Sequence, residues 1–322
     1  MINLKKIKTM VTSTHFSGIN YRIVLFCLLA FASVQLFNAP QAAAQIWEPE
    51  GLNMPGDWNG WVNPPANNLA LASYTQLPGG RVTRIIAGIP HWQTIFSVAP
   101  SGGDLVGGTY PWLFTSGPSG SPWNNKWANV SVTLNTLQQY TYQSDPNNTI
   151  TISNGKWYTM NFEDAGYGNT RAIFMETGAE PVSIATVSVP ATVNPGVPVT
   201  ITITTPLAPS AGELFYLRYT TDAWATSVAL PVTMTGTSGT ATIPGMTTGT
   251  TVSYYAFSSA VPAITDNFDL YTIKWNTNGG ANYAYTVSPA AIPTLSEWAL
   301  ILLGVFLLGF GGFYILQRRQ VC

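Results

Sequence analysis

Two stretches, Asp57-Trp58-Asn59-Gly60-Trp61 and Trp123-Asn124-Asn125-Lys126-Trp127, each set a pair of indoles beside side-chain amides. Sugars lay their C–H faces on flat aromatic rings, while amides and charged groups fix the hydroxyls. Trp58, Trp61, Trp123 and Trp127, with Asn59, Asn125 and Lys126 as polar partners, are therefore a candidate polysaccharide-binding set. The same indoles have a second use. Tryptophan is large and mostly buried in folded domains, so these rings can instead plug the ends of a core.

Catalytic chemistry has few carriers. Glycoside hydrolysis needs two carboxyl groups held across a cleft. Glu163-Asp164 is the only adjacent acid pair. Neighbours on a strand point to opposite faces, so it reads as a strand-exit pair rather than a catalytic dyad. Of two histidines, His15 lies near the start, and His91, between Pro90 and Trp92, reads as a structural imidazole. The two cysteines are Cys27 and Cys322, which leaves residues 45–289 without a thiolate nucleophile, a disulfide or a thiolate metal ligand. Asp266 and Asp269, with Asn267, could offer oxygen ligands to calcium, but no complete EF-hand pattern surrounds them. There is no phosphate-binding glycine loop or dinucleotide fingerprint. No catalytic residue, metal site or cofactor is assigned, and the chain is expected not to be an enzyme. The alternative is a polysaccharide-active hydrolase with an unrecognised site in 45–180.

The elements that must position these residues are strands. Only 8% of residues are charged, against about 25% in an ordinary soluble domain. Thr, Ser, Asn, Gly and Pro take their place, a profile suited to extracellular β-structure. No basic patch exists, which argues against nucleic acid as a partner. Residues 45–180 are rich in Trp and Asn, and residues 181–289 in Thr and Val, with a change near Gly178-Ala179-Glu180-Pro181. In the second region, 197–204, 214–219, 228–234, 239–243, 250–258 and 283–287 alternate apolar and polar residues with period two, and 181–193 alternates more loosely. In the first, 82–87, 94–98, 130–134, 149–152, 157–162 and 172–176 read as strands, and the Gly/Pro-rich stretch 107–127 as loop. The expected fold class is all-β, with two β-sandwich domains, 45–180 and 181–289. The stretch from Phe215 to Trp224, followed by Gly249 to Phe257, resembles immunoglobulin-like or fibronectin type III modules. The Asp57–Trp61 segment is similar to a segment of some starch-binding-like modules.

Both ends carry targeting patterns. Lys5, Lys6, Lys8 and Arg22 precede the apolar stretch 23–37, and Ala42-Ala43-Ala44 supplies small residues for cleavage. Residues 1–44 read as a secretory signal peptide, cut after Ala44, with Ala42 as the other small residue of the site. Residues 298–316 hold no charge. As a helix this run is about 28 Å long, near the ~30 Å hydrocarbon core of a bilayer. Arg318 and Arg319 follow it, and positive charge favours the cytoplasmic side. Pro293 disfavours helix at Ile292, and Ser296 can cap a helix starting near Glu297 or Trp298.

Ile292, Pro293, Thr294 and Leu295, then Ser296-Glu297-Trp298, the apolar helix and the basic end together resemble the IPTL-CTERM protein-sorting domain, over 290–322. The resemblance departs at Ala299, where the family often has glycine, and at Gln320-Val321-Cys322 after the arginines. It implies recognition and cleavage by an exosortase-like membrane enzyme of a Gram-negative bacterium. Ile292, Pro293, Thr294, Leu295 and Trp298 would be read by that enzyme. The chain would then sit transiently in the inner membrane and pass to the cell surface or exterior, where its β-domains serve adhesion, matrix or carbohydrate contacts. The alternative is a permanently anchored single-span protein.

Overall fold

The computed structural model describes residues 52–63, 70–71, 75–76, 79–82, 91–116, 121, 123–163, 168–289 and 297–319. The chain divides into two units, Met1–Ala44 and Gln45–Cys322, and every described residue belongs to the second. Ala42 and Ala44 lie outside the described residues, as do Ile292, Pro293, Thr294 and Leu295. The described part is mostly β-strand, in several sheets, with one apolar helix.

Before residue 180 the strands are β1 (Ala70–Leu71), β2 (Thr75–Gln76), β3 (Gly79–Val82), β4 (His91–Val98), β5 (Gly108–Trp112) and β6 (Phe114–Thr115). They continue with β7 (Lys126–Ala128), β8 (Gln138–Gln139), β9 (Thr141–Tyr142), β10 (Asn148–Ile152), β11 (Lys156–Glu163) and β12 (Arg171–Thr177). The main sheet has the order β3-β4-β11-β12-β8; β5 pairs with β10, and β6-β7-β9 form a third sheet. β4 and β11 pair antiparallel along their whole length, from Lys156 opposite Val98 to Glu163 opposite His91.

Period-two alternation sends Trp92, Phe96, Tyr158, Met160, Phe162, Ala172 and Phe174 from this sheet into one aromatic core. Trp112 sits among them, its ring 4.5 Å from Phe114 and 5.4 Å from Phe174, both edge-on. Edge-on aromatic pairs add about 0.5–1.5 kcal/mol beyond the area they bury. Gly56 lies against this core, where a Cβ would come within 2.6 Å of the Trp112 Cβ.

The stretch 107–127, expected as loop, carries β5, β6 and β7 instead. Gly and Pro punctuate it, but Trp112, Phe114 and Trp127 are fully buried strand residues whose packing outweighs the turn signals. In 130–134, expected as a strand, the pairing is a single bridge, Ser131 to Thr149. Of 82–87, only Val82 is described.

After residue 180 come β13 (Thr186–Val187), β14 (Val199–Thr204), β15 (Leu214–Thr220), β16 (Val228–Thr235), β17 (Ser238–Ile243), β18 (Thr251–Ser259), β19 (Trp275–Asn276) and β20 (Tyr283–Thr286). They form one ladder, β13-β14-β17-β16-β15-β18-β19, with β20 also on β18. β16 serves two neighbours: Val228–Val232 pair with β15, and Thr233–Thr235 with β17. Gly239 faces this crossover, and a Cβ there would collide with the Met234 and Val232 side chains. The ladder bends there, and its two halves share one core. Ile201, Ile203 and Ile243 come from one half, and Phe215, Leu217, Val252 and Tyr254 from the other.

The second face of the main sheet is also buried. Gln93, Asn161, Ile173 and Met175 face residues 260–273, between β18 and β19. Ile173 and Met175 pack with Ala260 and Ile273. Gln93 Nε2 donates to the carbonyls of Thr272 and Ile273, and Asn161 Nδ2 donates to those of Leu270 and Thr272. The stretch at Gly178 is likewise tied down. Its N–H donates to the Ala211 carbonyl, and the Ala179 N–H donates to Ser210 Oγ.

Helix α1 (Glu297–Arg319) closes the described chain. The 19 residues Ala299–Gln317 have a mean hydropathy of 2.4, and none of the most apolar window is buried.

Candidate functional site

The sequence-predicted aromatic set divides by burial. Trp58 is half-buried, its ring 5.6 Å from both Tyr110 and Trp112, and its indole N–H donates to the Met54 carbonyl. Asn59 is buried and shapes its own turn: its Oδ1 accepts from the Gly56 N–H, and its Nδ2 donates to the Val62 carbonyl. Trp127 is fully buried, between Tyr142 and Phe162. These three serve the core, and Trp127 offers no ring face to a ligand. For the two tryptophans the physical reason is the size of the indole, which fills space in and against this aromatic core.

The remaining residues stay nearer solvent. Trp123 is 43% exposed. Trp61 is half-buried, as Trp58 is, and donates its indole N–H to Asp57 Oδ1 at 2.5 Å. Asn125 Oδ1 accepts from the Tyr142 hydroxyl at 2.7 Å, and Lys126 Nζ pairs with Asp145 at 2.9 Å. The Gln143 side-chain amide donates to the Asn124 carbonyl. Trp123 thus stands beside a loop braced by β7 and β9, with its polar neighbours already engaged within the protein.

Of the acid pair, Glu163 is described and reads structurally. Glu163 ends β11 and is buried, and Arg171 grips it in a fork, Nε to Oε2 at 2.6 Å and Nη2 to Oε1 at 2.8 Å. Such a bidentate pair positions a hairpin mouth. Asp164 and the His91 side chain lie outside the described residues. Asp269 lies 3.8 Å from the Arg218 guanidinium, which stacks 4.0 Å over Phe268 and donates to Ser227 and Tyr255. Among the described residues no cluster of three metal-ligating side chains occurs.

Glu213 was not singled out by the sequence. Its carboxylate is buried and accepts from the Val182 N–H, the Ser210 N–H and the Ser258 hydroxyl. Burial pushes its pKa upward against the pull of those hydrogen bonds. It lines a groove of about 360 Å³ with Pro209, Phe215, Pro231, Val232 and Met234. Oε2 holds the Val182 and Ser210 backbones and Oε1 holds Ser258 of β18, so the group acts as a clamp.

The tail is the feature with no counterpart in the folded part. Leu302, Phe306, Leu308 and Phe310 are each more than half exposed. Each such side chain left in water forgoes about 1.5–3 kcal/mol of burial energy. A helix with apolar residues on every side fits lipid rather than water. Trp298 lies in the first turn, and Arg318 and Arg319 in the last; the side chains of all three lie outside the described set.

Residues 290–319 match the IPTL-CTERM motif. No curated protein and no solved structure matches the chain. The matched residues contain all of α1. The class so defined is a β-rich chain bearing a C-terminal sorting motif on an exposed apolar helix. A tail of this kind fits transit through a membrane to the surface or exterior.

Proposed function

We propose that this chain is an exported surface or extracellular protein whose tail is recognised and cleaved by an exosortase-like membrane enzyme. A signal peptide, 1–44, starts export. Helix α1 then holds the chain in the inner membrane with Arg318 and Arg319 on the cytoplasmic side. Ile292, Pro293, Thr294, Leu295 and Trp298 are the residues the enzyme reads. The ectodomain comprises two β-sandwich units, 45–180 and 181–289. The second is immunoglobulin-like or fibronectin III-like, and the first is similar to starch-binding modules. Its role is adhesion, matrix contact or carbohydrate contact, without catalysis. Trp123, the most exposed of the candidate indoles, is the residue best placed for a sugar ring.

The observation that carries this reading is the coincidence of the motif at 290–319 with an apolar helix none of whose membrane-length window is buried. The test is the intact mass of the protein collected from the cell surface and medium. Loss of 1–44 and of α1 is expected. A surface protein that retains α1 establishes instead the permanently anchored form.

A further inference from the structure

Across β13, β14, β17 and the end of β16, one side of the second region carries an array of side-chain hydroxyls. On β14, Thr200, Thr202 and Thr204 alternate with the buried Val199, Ile201 and Ile203. Register places Thr186 and Ser238 beside Thr204, Thr240 beside Thr202, and Thr242 beside Thr200. Thr233 and Thr235 of β16 stand opposite Thr240 and Ser238. Ser188 joins the Thr202 row, its Oγ accepting from the Thr202 N–H. Directly paired residues point to the same side of a sheet, so rows of hydroxyls run across four strands. Thr186 and Thr204 share a 2.6 Å hydrogen bond, and Thr200 and Thr242 one of 3.2 Å. Thr202 and Thr204 are half-buried and the others exposed.

The face has no charge and no aromatic ring. Residues 181–212 and 223–265, which supply all four strands, contain no Asp, Glu, Lys or Arg. A charged partner finds no complement here. A polysaccharide finds no ring on which to stack. A hydroxyl both donates and accepts, so an array of hydroxyls is complementary to its own copy. A two-fold contact requires such self-complementarity, and charged surfaces obstruct it by like-charge repulsion.

We infer that this hydroxyl face is a homotypic contact surface, joining the protein to a second copy of itself. The inference rests on display at a surface, as proposed above. The array covers on the order of 200 Å² by strand and residue spacing, about a quarter of the ~800 Å² per partner in a stable interface. A single contact is therefore weak, and many surface-held copies acting together supply avidity.

The test uses the full-length chain in detergent, coupled to beads through a C-terminal tag. Wild-type beads should cluster. The variant Thr202→Lys/Thr240→Lys sets like charges against each other and should lower clustering by more than about tenfold, as should Thr202→Glu/Thr240→Glu. Mixing lysine beads with glutamate beads should restore clustering, and mixing them with Thr247→Glu/Thr248→Glu beads, whose acids lie off this face, should not, which separates docking through the face from general charge attraction. Wild-type beads that stay dispersed, lysine beads that cluster like wild type, or mixed beads that stay apart would each overturn the inference. So would face-dependent adsorption to an insoluble neutral glucan without self-association. Flotation of the chain with phosphatidylcholine vesicles tests the surface reading separately. Clustering without flotation sinks that reading alone, and flotation without clustering sinks this inference alone.

Discussion

Asn161 and Thr272 are joined by a 2.8 Å hydrogen bond between the asparagine Nδ2 and the threonine carbonyl, across 111 residues of sequence. Asn161 is fully buried, and its Oδ1 accepts from Gln93, whose own amide reaches the same carbonyl. One pair of amides thus supplies donors to backbone carbonyls in 270–273. The contact fastens the main sheet of the first region to a segment of the second.

Removing a donor from this network leaves buried carbonyls unsatisfied, which costs about 1–3 kcal/mol for each group. Asn161→Ala should destabilise by that order. Gln93→Ala in the same background should add less than its separate effect, because the two share partners. Urea denaturation of the single and double variants measures the coupling; strict additivity would show that the amides act independently.

Trp127 and Trp123 should part company on truncation. Trp127→Ala empties a fully buried site and should cost about 3–5 kcal/mol. Trp123→Ala removes an exposed ring and should stay within about 0.5 kcal/mol of wild type. Chemical denaturation reads both, and glucan adsorption of the folded Trp123→Ala protein checks the role of the exposed ring.

Glu213 gives a signed pH dependence. Its folded pKa is raised by burial, so the native state holds the proton more tightly than the unfolded chain. Its contribution is fully present below the unfolded pKa, ~4.3 for glutamate, and declines as pH rises through the folded value. The protein should therefore lose part of its stability over that window. Glu213→Gln, which cannot titrate, should flatten the profile there. Thermal melts of both proteins from pH 4 to pH 7 supply the comparison; an unchanged slope in the variant would refute the assignment.

A charge at the centre of α1 should block membrane insertion. Leu307→Arg adds about 3–4 kcal/mol to the insertion free energy at a helix centre. In a host without an exosortase-like enzyme, where α1 is not cleaved, carbonate extraction of whole membranes should move the variant into the soluble or degraded fraction and leave wild type in the pellet.

Strands such as β14 and β17 were legible because each buries one face, so Val199, Ile201 and Ile203 alternate with threonines in plain view. Helix α1 was legible for a simpler reason: composition and length suffice for a segment whose backbone satisfies itself. The strands β5, β6 and β7 were not, since Gly and Pro mask a pairing that depends on Trp112, Phe114 and Trp127 finding one core. The fates of the candidate indoles were equally hidden. Trp123 and Trp127 stand four residues apart in similar company, yet one is exposed and the other sealed.

Local pattern alone determined the β-character of 181–289, the apolar helix and the motif before it, because each depends on residues close in sequence. Tertiary structure decided which tryptophans are core, that Glu163 belongs to Arg171, that Asn161 and Gln93 bind 270–273, and that threonines from four strands form one face. Those outcomes depend on which distant segments become neighbours. Burial and strand register select the neighbours only when the whole chain competes for the same interior.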